Sequence, residues 1–188
     1  MGKERIEYQK KRDRSKLHSK EYLSIIIDGA DQSAFGLPHF TPNVKNQRGH
    51  AMKVQFVGLL DHPLPNDLLL PTMTQEHKTG ANHVVEVLHR YLTRRLADGT
   101  LPPKLFVQLD NCSRENKNHY VMGYFEFLVA TKVYRSVEVG FIPVGHTHED
   151  IDQAFSQTSA RLRVNNAITL ADLKTELKCA YGGRVHIE

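Results

Sequence analysis

The sequence predicts an α/β domain on a mixed five-stranded sheet, three antiparallel strands followed by two parallel ones, flanked by helices. Three observations carry that expectation. Apolar runs of strand length occur at five places and end in turn signals. Between the later runs the apolar residues switch to a helical period. No helix separates the first three runs, whereas one separates each later pair, which is how hairpins and parallel crossovers differ.

The elements follow in chain order. "YLSIIID", residues 22–28, is a continuous apolar run closing in Asp, the pattern of a strand buried on both faces. The irregular stretch "GADQSAFGLPHFTPNVKNQRG" comes next, and "FGLPHF" within it either folds over a site or packs on the sheet. In "HAMKVQFVGLL" the residues Met52, Val54 and Phe56 alternate, a strand signal. "LLLPTMT" is the third strand, with Pro71 marking an edge or an end. Over 80–97, Val84, Val85, Leu88, Tyr91, Leu92 and Leu96 recur at helical spacing, and Asp98-Gly99 with Pro102-Pro103 stops that helix. "KLFVQLD", 104–110, is a second apolar strand ending in Asp. A helix over 116–133 turns Val121, Tyr124, Phe125 and Leu128 inward, and "VEVGFIP", 137–143, is the fifth strand. Ile151, Ala154, Phe155, Thr158 and Leu162 mark a third helix, and a last one, roughly 169–180, is capped by Thr169.

Composition bounds the rest. The 188 residues fit one ordinary domain, and 40% hydrophobic content supplies a core. No stretch approaches the ~20 apolar residues of a membrane span. The N-terminal "MGKERIEYQKKRDRSKLHSKEY" is basic but has no apolar region, so it is not a secretory signal. Cys112 and Cys179 stand alone, which argues against a disulfide framework or zinc ribbon and fits a reducing compartment. Residues 1–20 hold eight Lys/Arg against three Asp/Glu, and the remainder holds 17 against 18, so the basic excess belongs to the first twenty. The expected organisation is a basic extension or remnant of a preceding domain (1–20), a core (21–165), and a C-terminal helix and tail (166–188). A basic segment of this kind contacts nucleic acid or an acidic surface, or is a solvated helix. The body is not a strongly electrostatic DNA binder.

Two strands end in Asp, Asp28 and Asp110, and Asp152 with its neighbours opens the helix after the fifth strand. Open α/β sheets carry their sites at the carboxyl ends of the strands. Two or three carboxylates around a half-hydrated ion are how Mg²⁺ is usually held. A pair of such ions roughly 3.5–4 Å apart activates water and stabilises the leaving oxygen in phosphodiester cleavage. Each Asp alone is more often a turn or cap residue.

The β-β-β-α-β-α-β-α order, with acids on strands one and four and on the last helix, resembles the ribonuclease H-like fold. More narrowly, "IIIDGADQS", "LFVQLDNCSRENKN" and "VGHTHEDIDQAFS" resemble the core of a eukaryotic transposase-related family, a domain of unknown function (DUF7869). The resemblance covers roughly residues 20–165. It implies a DDE/D-type core that uses two Mg²⁺ or Mn²⁺ ions to cut and join DNA strands. It makes Asp28 and Asp110 metal ligands, and DNA the partner. Asn111, Asn116 and Asn118, in the loop after Asp110, then orient water or phosphate, or else serve as turn and cap residues. For the third acid, relatives place an Asp six positions after the His of a Gly-His-Ser/Thr motif, and six after His146 is Asp152. On the helix, Asp150 and Asp152 flank the apolar face centred near Ile151 and Phe155, while Glu149 points roughly 160° away. The order of preference is Asp152, then Asp150, then Glu149. His146 is a neighbouring proton donor near the phosphate, and His148 a helix-start residue or an outer group of the site.

"HTHED" also reads His146-x-His148-x-Asp150, a spacing shared with metallo-β-lactamase-like zinc hydrolases. There a further His follows, and here that position is Ile151, with His186 the one His downstream. Three functions are therefore in contention: a metal-dependent DNA-cleaving core, a domesticated inactive relative serving as a protein- or DNA-interaction module, and a zinc hydrolase. A homo-oligomer, no membrane association and a nuclear location accompany the first two.

Overall fold

The computed structural model describes residues 3–30, 35–41, 52, 54, 56–63, 68–70, 80–142, 150–182 and 185–187. The elements run α1 (Lys3–Leu17), β1 (Tyr22–Gly29), β2 (Val57–Asp61), β3 (Leu68–Leu70), α2 (Ala81–Ala97), β4 (Lys104–Asp110), α3 (His119–Ala130), β5 (Ser136–Ile142), α4 (Asp150–Leu162), α5 (Leu170–Ala180) and β6 (Val185–Ile187). Among the described residues they form one six-stranded sheet in the order β5-β4-β1-β2-β3-β6.

The expected five-stranded sheet is thus corrected to six. The added strand is β6, which pairs parallel with β3, Leu68 opposite Val185. Three residues are too few to show a period, so the sequence carried no signal for it. The antiparallel β1-β2-β3 meander and the parallel additions β4 and β5 are present. The second strand is shorter than the run 50–60: β2 begins at Val57, and Met52 makes only an isolated bridge to Leu37. Of the third run, Leu68–Leu70 is strand, and 71–74 lies outside the described residues.

Alternation along the strands sorts the layers. Leu23, Ile25 and Ile27 of β1, with Leu105, Val107 and Leu109 of β4, bury against α2 and α3 through Leu88, Tyr91, Val121 and Phe125. Each such fully buried aliphatic side chain is worth roughly 1.5–3 kcal/mol. The opposite face carries Ser24, Ile26 and Asp28, with Ile26 packed on Tyr8 of α1 and Ile151 of α4. A second cluster joins α4 and α5 to the loop before β2, with Phe35, Leu37, Val54 and Phe56 packed on Ala154, Leu162, Leu173 and Leu177. "FGLPHF" therefore packs on the α4–α5 layer, and the His39 backbone pairs with Ala167. Thr169 caps α5 through a capping box with Asp172.

The basic first twenty residues are largely α1, and α1 is docked. Tyr8 and Ser15 are buried, Lys11 pairs with Glu138 of β5 at 3.1 Å, and Lys11 and Arg14 lie over the Phe106 and Tyr22 rings. Several cations of this segment thus face the sheet.

Two close approaches fix the helix layers. At Gly58 an added Cβ would lie 2.8 Å from Phe155 Cζ and 3.1 Å from Ile151 Cδ1, so glycine is what lets α4 lie flat on β2. At the far end of β2 the fully buried Asp61 accepts from the Tyr91 hydroxyl and pairs with Arg95, Nη1 at 3.4 Å. We expect Gly58→Val to destabilise the fold by about 1–3 kcal/mol through overpacking. Arg95→Leu, which leaves the Asp61 charge buried without its cation, is expected to cost about 3–5 kcal/mol. Urea unfolding of both variants measures these losses.

Candidate functional site

The carboxyl ends of β1 and β4 lie side by side. Their register pairs Ile27 with Leu109, so Asp28 and Asp110 stand at adjacent positions of neighbouring parallel strands. Neighbouring strands run about 4.7–4.9 Å apart, and both residues belong to the alternation that faces α1 and α4. On its other side Asp28 pairs with Gly58 of β2. Since Gly58 admits Phe155 and Ile151 against the strand, α4 is held beside Asp28. Asp152, in the first turn of α4, thereby comes within electrostatic reach of it.

Asp28 registers this crowding. Its Oδ1 accepts from the Gly29 N–H at 2.8 Å, which favours the charged form. Burial outweighs that bond, and the charges of Asp110, Asp152 and Glu115 add to it, so the Asp28 carboxyl is pushed up to about 6. Glu115 was absent from the sequence reading. Its only signal was an acid in the loop leaving a strand end at the carboxyl edge of the sheet, in "DNCSRENKN".

Asp150 is placed differently. Its carboxylate accepts from Arg12 Nη1 at 3.2 and 3.3 Å, and His62 Nε2 lies 3.5 Å away. His62 foremost, then Arg12, hold the Asp150 carboxyl down to about 2 against its partial burial. His62 is itself buried. Its Nδ1 faces the Ser24 carbonyl oxygen at 2.9 Å, and its Nε2 meets the Tyr8 hydroxyl at 2.9 Å. The ring thus reaches the Ser24 backbone through one nitrogen and the Tyr8 hydroxyl through the other. No local pattern singles out His62, whose partners come from α1 and β1, 54 and 38 positions away.

The asparagines of the loop after β4 divide. Asn118 caps α3, its Oδ1 accepting from Tyr120 and Val121 N–H groups, both at 3.1 Å. Asn116 is buried, and Asn111 half-buried directly after Asp110. His146, His148 and Glu149 lie outside the described residues. The His-x-His-x-Asp reading meets a conflict at its last member, since Asp150 is held by Arg12 and His62. Among the described residues no group of three His, Cys, Asp or Glu side chains is spaced to hold a metal ion.

Fold and site together define an α/β domain with carboxylates gathered at the carboxyl edge of its sheet. A family model described as Domain of unknown function (DUF7869) matches residues 44–188, and the chain belongs to that family. The match takes in Asp110 and α4, while β1 with Asp28 precedes it. No curated protein matches the chain. No helix among the described residues is long and apolar enough to cross a membrane.

The raised Asp28 sets a pH dependence. Its folded value near 6 exceeds the unfolded 3.8, so between these the native state binds the extra proton. Stability from this group is therefore intact below about pH 4 and falls as pH rises through about 6. We expect Asp28→Asn to unfold at higher urea than the wild type at pH 7–8, by on the order of 1–3 kcal/mol, with the gap narrowing towards pH 4. Urea titrations across that range provide the check.

Proposed function

We propose that this chain is a ribonuclease H-like module of transposase type that works by binding, to DNA or to protein, rather than by cutting strands. One observation carries the reading: the carboxylates are gathered but not arranged as a cage. Asp150 is committed to Arg12 and His62. Asp28 is crowded by burial and by the charges of Asp110, Asp152 and Glu115, which push its carboxyl up to about 6. Among the described residues no three His, Cys, Asp or Glu side chains are grouped so that they could hold a metal ion.

A second reading, a two-metal DNA-cleaving core, is favoured by the Asp28–Asp110 register and by the charge of Asp152 felt at Asp28. In that reading Asp28, Asp110 and Asp152 would hold Mg²⁺ or Mn²⁺, whose chemistry is to activate water and stabilise a leaving oxygen.

Incubation of labelled DNA with Mg²⁺ or Mn²⁺, wild type beside Asp110→Asn, separates the two. The binding reading expects no cleavage by either protein and no heat of Mn²⁺ binding in calorimetry. Cleavage by the wild type that drops about 100-fold or more in Asp110→Asn would replace it with the two-metal core. Mn²⁺ heat without cleavage would point to a core that needs further DNA-binding parts.

A further inference from the structure

Helix α3 carries a face that the packing of the described residues leaves open. His119, Tyr120, Gly123, Glu126, Phe127 and Ala130 are all exposed, Tyr120 by 62% and Phe127 by 57%. At about 100° per residue these six span roughly 120°, with Gly123 at the centre. Tyr120 and Phe127 form one flank, His119 and Glu126 the other.

Nothing among the described residues calls for a glycine at 123. A Cβ there would meet nothing within 4 Å, and it is not among the glycines at positive φ, which are Gly80, Gly99 and Gly182. A glycine in a helix interior weakens the helix relative to alanine. What it offers is close approach of a second backbone, with aromatic side chains one turn away on either side.

We propose that α3 is where two copies of this chain pair, their α3 helices antiparallel about a two-fold axis passing at Gly123. The charge pattern selects this occupant and this direction. A two-fold axis across the helices turns each flank onto its own counterpart. Tyr120 then meets Phe127 of the partner subunit, and His119 meets Glu126 of the partner subunit. A parallel pair would set aromatic flank against polar flank instead. Antiparallel packing also opposes the two macrodipoles favourably. It explains the placing of charge on α3, which has no acid in its first turn and no base in its last. The His119 ring already lies against Tyr120, centroids 3.9 Å apart, so the end of the face is preformed. The proposal does not rest on the reading of the carboxylate edge.

Sedimentation velocity of the full chain over a dilution series tests it. The wild type and Asp110→Asn are expected to reach twice the chain mass equally at high concentration. Phe127→Glu is expected to weaken pairing by about tenfold or more. Gly123→Gln should raise the melting temperature of the dilute single chain yet weaken pairing, opposite effects that a plain surface glycine would not show. His119→Glu sets acid against acid and weakens pairing, and His119→Glu combined with Glu126→His restores it. Melting curves of the dilute variants confirm that each is folded. A wild type that keeps the mass of one chain throughout the series overturns the proposal. So does a pair that survives Phe127→Glu and Gly123→Gln unchanged, since it must use another face.

Discussion

The parallel register of β1 on β4 is the constraint from which the site follows. Ile27 opposite Leu109 obliges the next residue of each strand, both aspartates, to emerge side by side on one face. A shift of one position would turn one of them to the α2–α3 layer and bury a charge among aliphatic side chains. The register is held by the burial of Leu23, Ile25 and Ile27 on one side and Ile26 on the other, so the hydrophobic pattern enforces an electrostatic conflict. Below about pH 6 a proton on Asp28 relieves that conflict without breaking the ladder.

At its other end the sheet is pinned by consecutive polar residues that face opposite layers. Asp61 reaches Tyr91 and Arg95 of α2, while His62 reaches Tyr8 of α1, Ser24 of β1 and Asp150 of α4. Apolar packing alone tolerates sliding of a helix along a sheet face. A buried histidine that contacts three elements through two nitrogens does not, because each displacement leaves a polar atom without a partner in a dry environment. The strand end thus orients both helix layers, and through Asp150 it orients the turn of α4 that carries Asp152.

Legibility in the sequence tracked the range of the interaction. β1 and β4 were readable because continuous apolar runs report burial on both faces, and their terminal aspartates were readable because they break the runs. The caps Thr169 and Asn118 are local, and their side chains bond within three residues. β6 was hidden because three residues show no period. The docking of α1 was hidden because its sequence is dominated by charge, and only the sheet reveals that Lys11 and Arg12 face inward partners. Asp150 and Asp152 have equal claims on a helical wheel. What sets their surroundings apart is Arg12, 138 positions upstream of Asp150, which no local pattern contains.

That separation bears on how the edge acts. Two acids on one helical turn experience opposite surroundings: Asp150 is drawn toward α1 by a guanidinium, while Asp152 adds negative charge at Asp28. The charges of Asp110, Asp152 and Glu115 that act on Asp28 gather acidity between β1, β4 and α4. DNA phosphates are repelled from a patch of this sign unless cations or basic side chains stand between. Of the cations of α1, Lys11 and Arg12 are tied to Glu138 and Asp150. The acids that raise Asp28 favour positive charge at this edge over negative, whether that charge is an ion or a basic side chain.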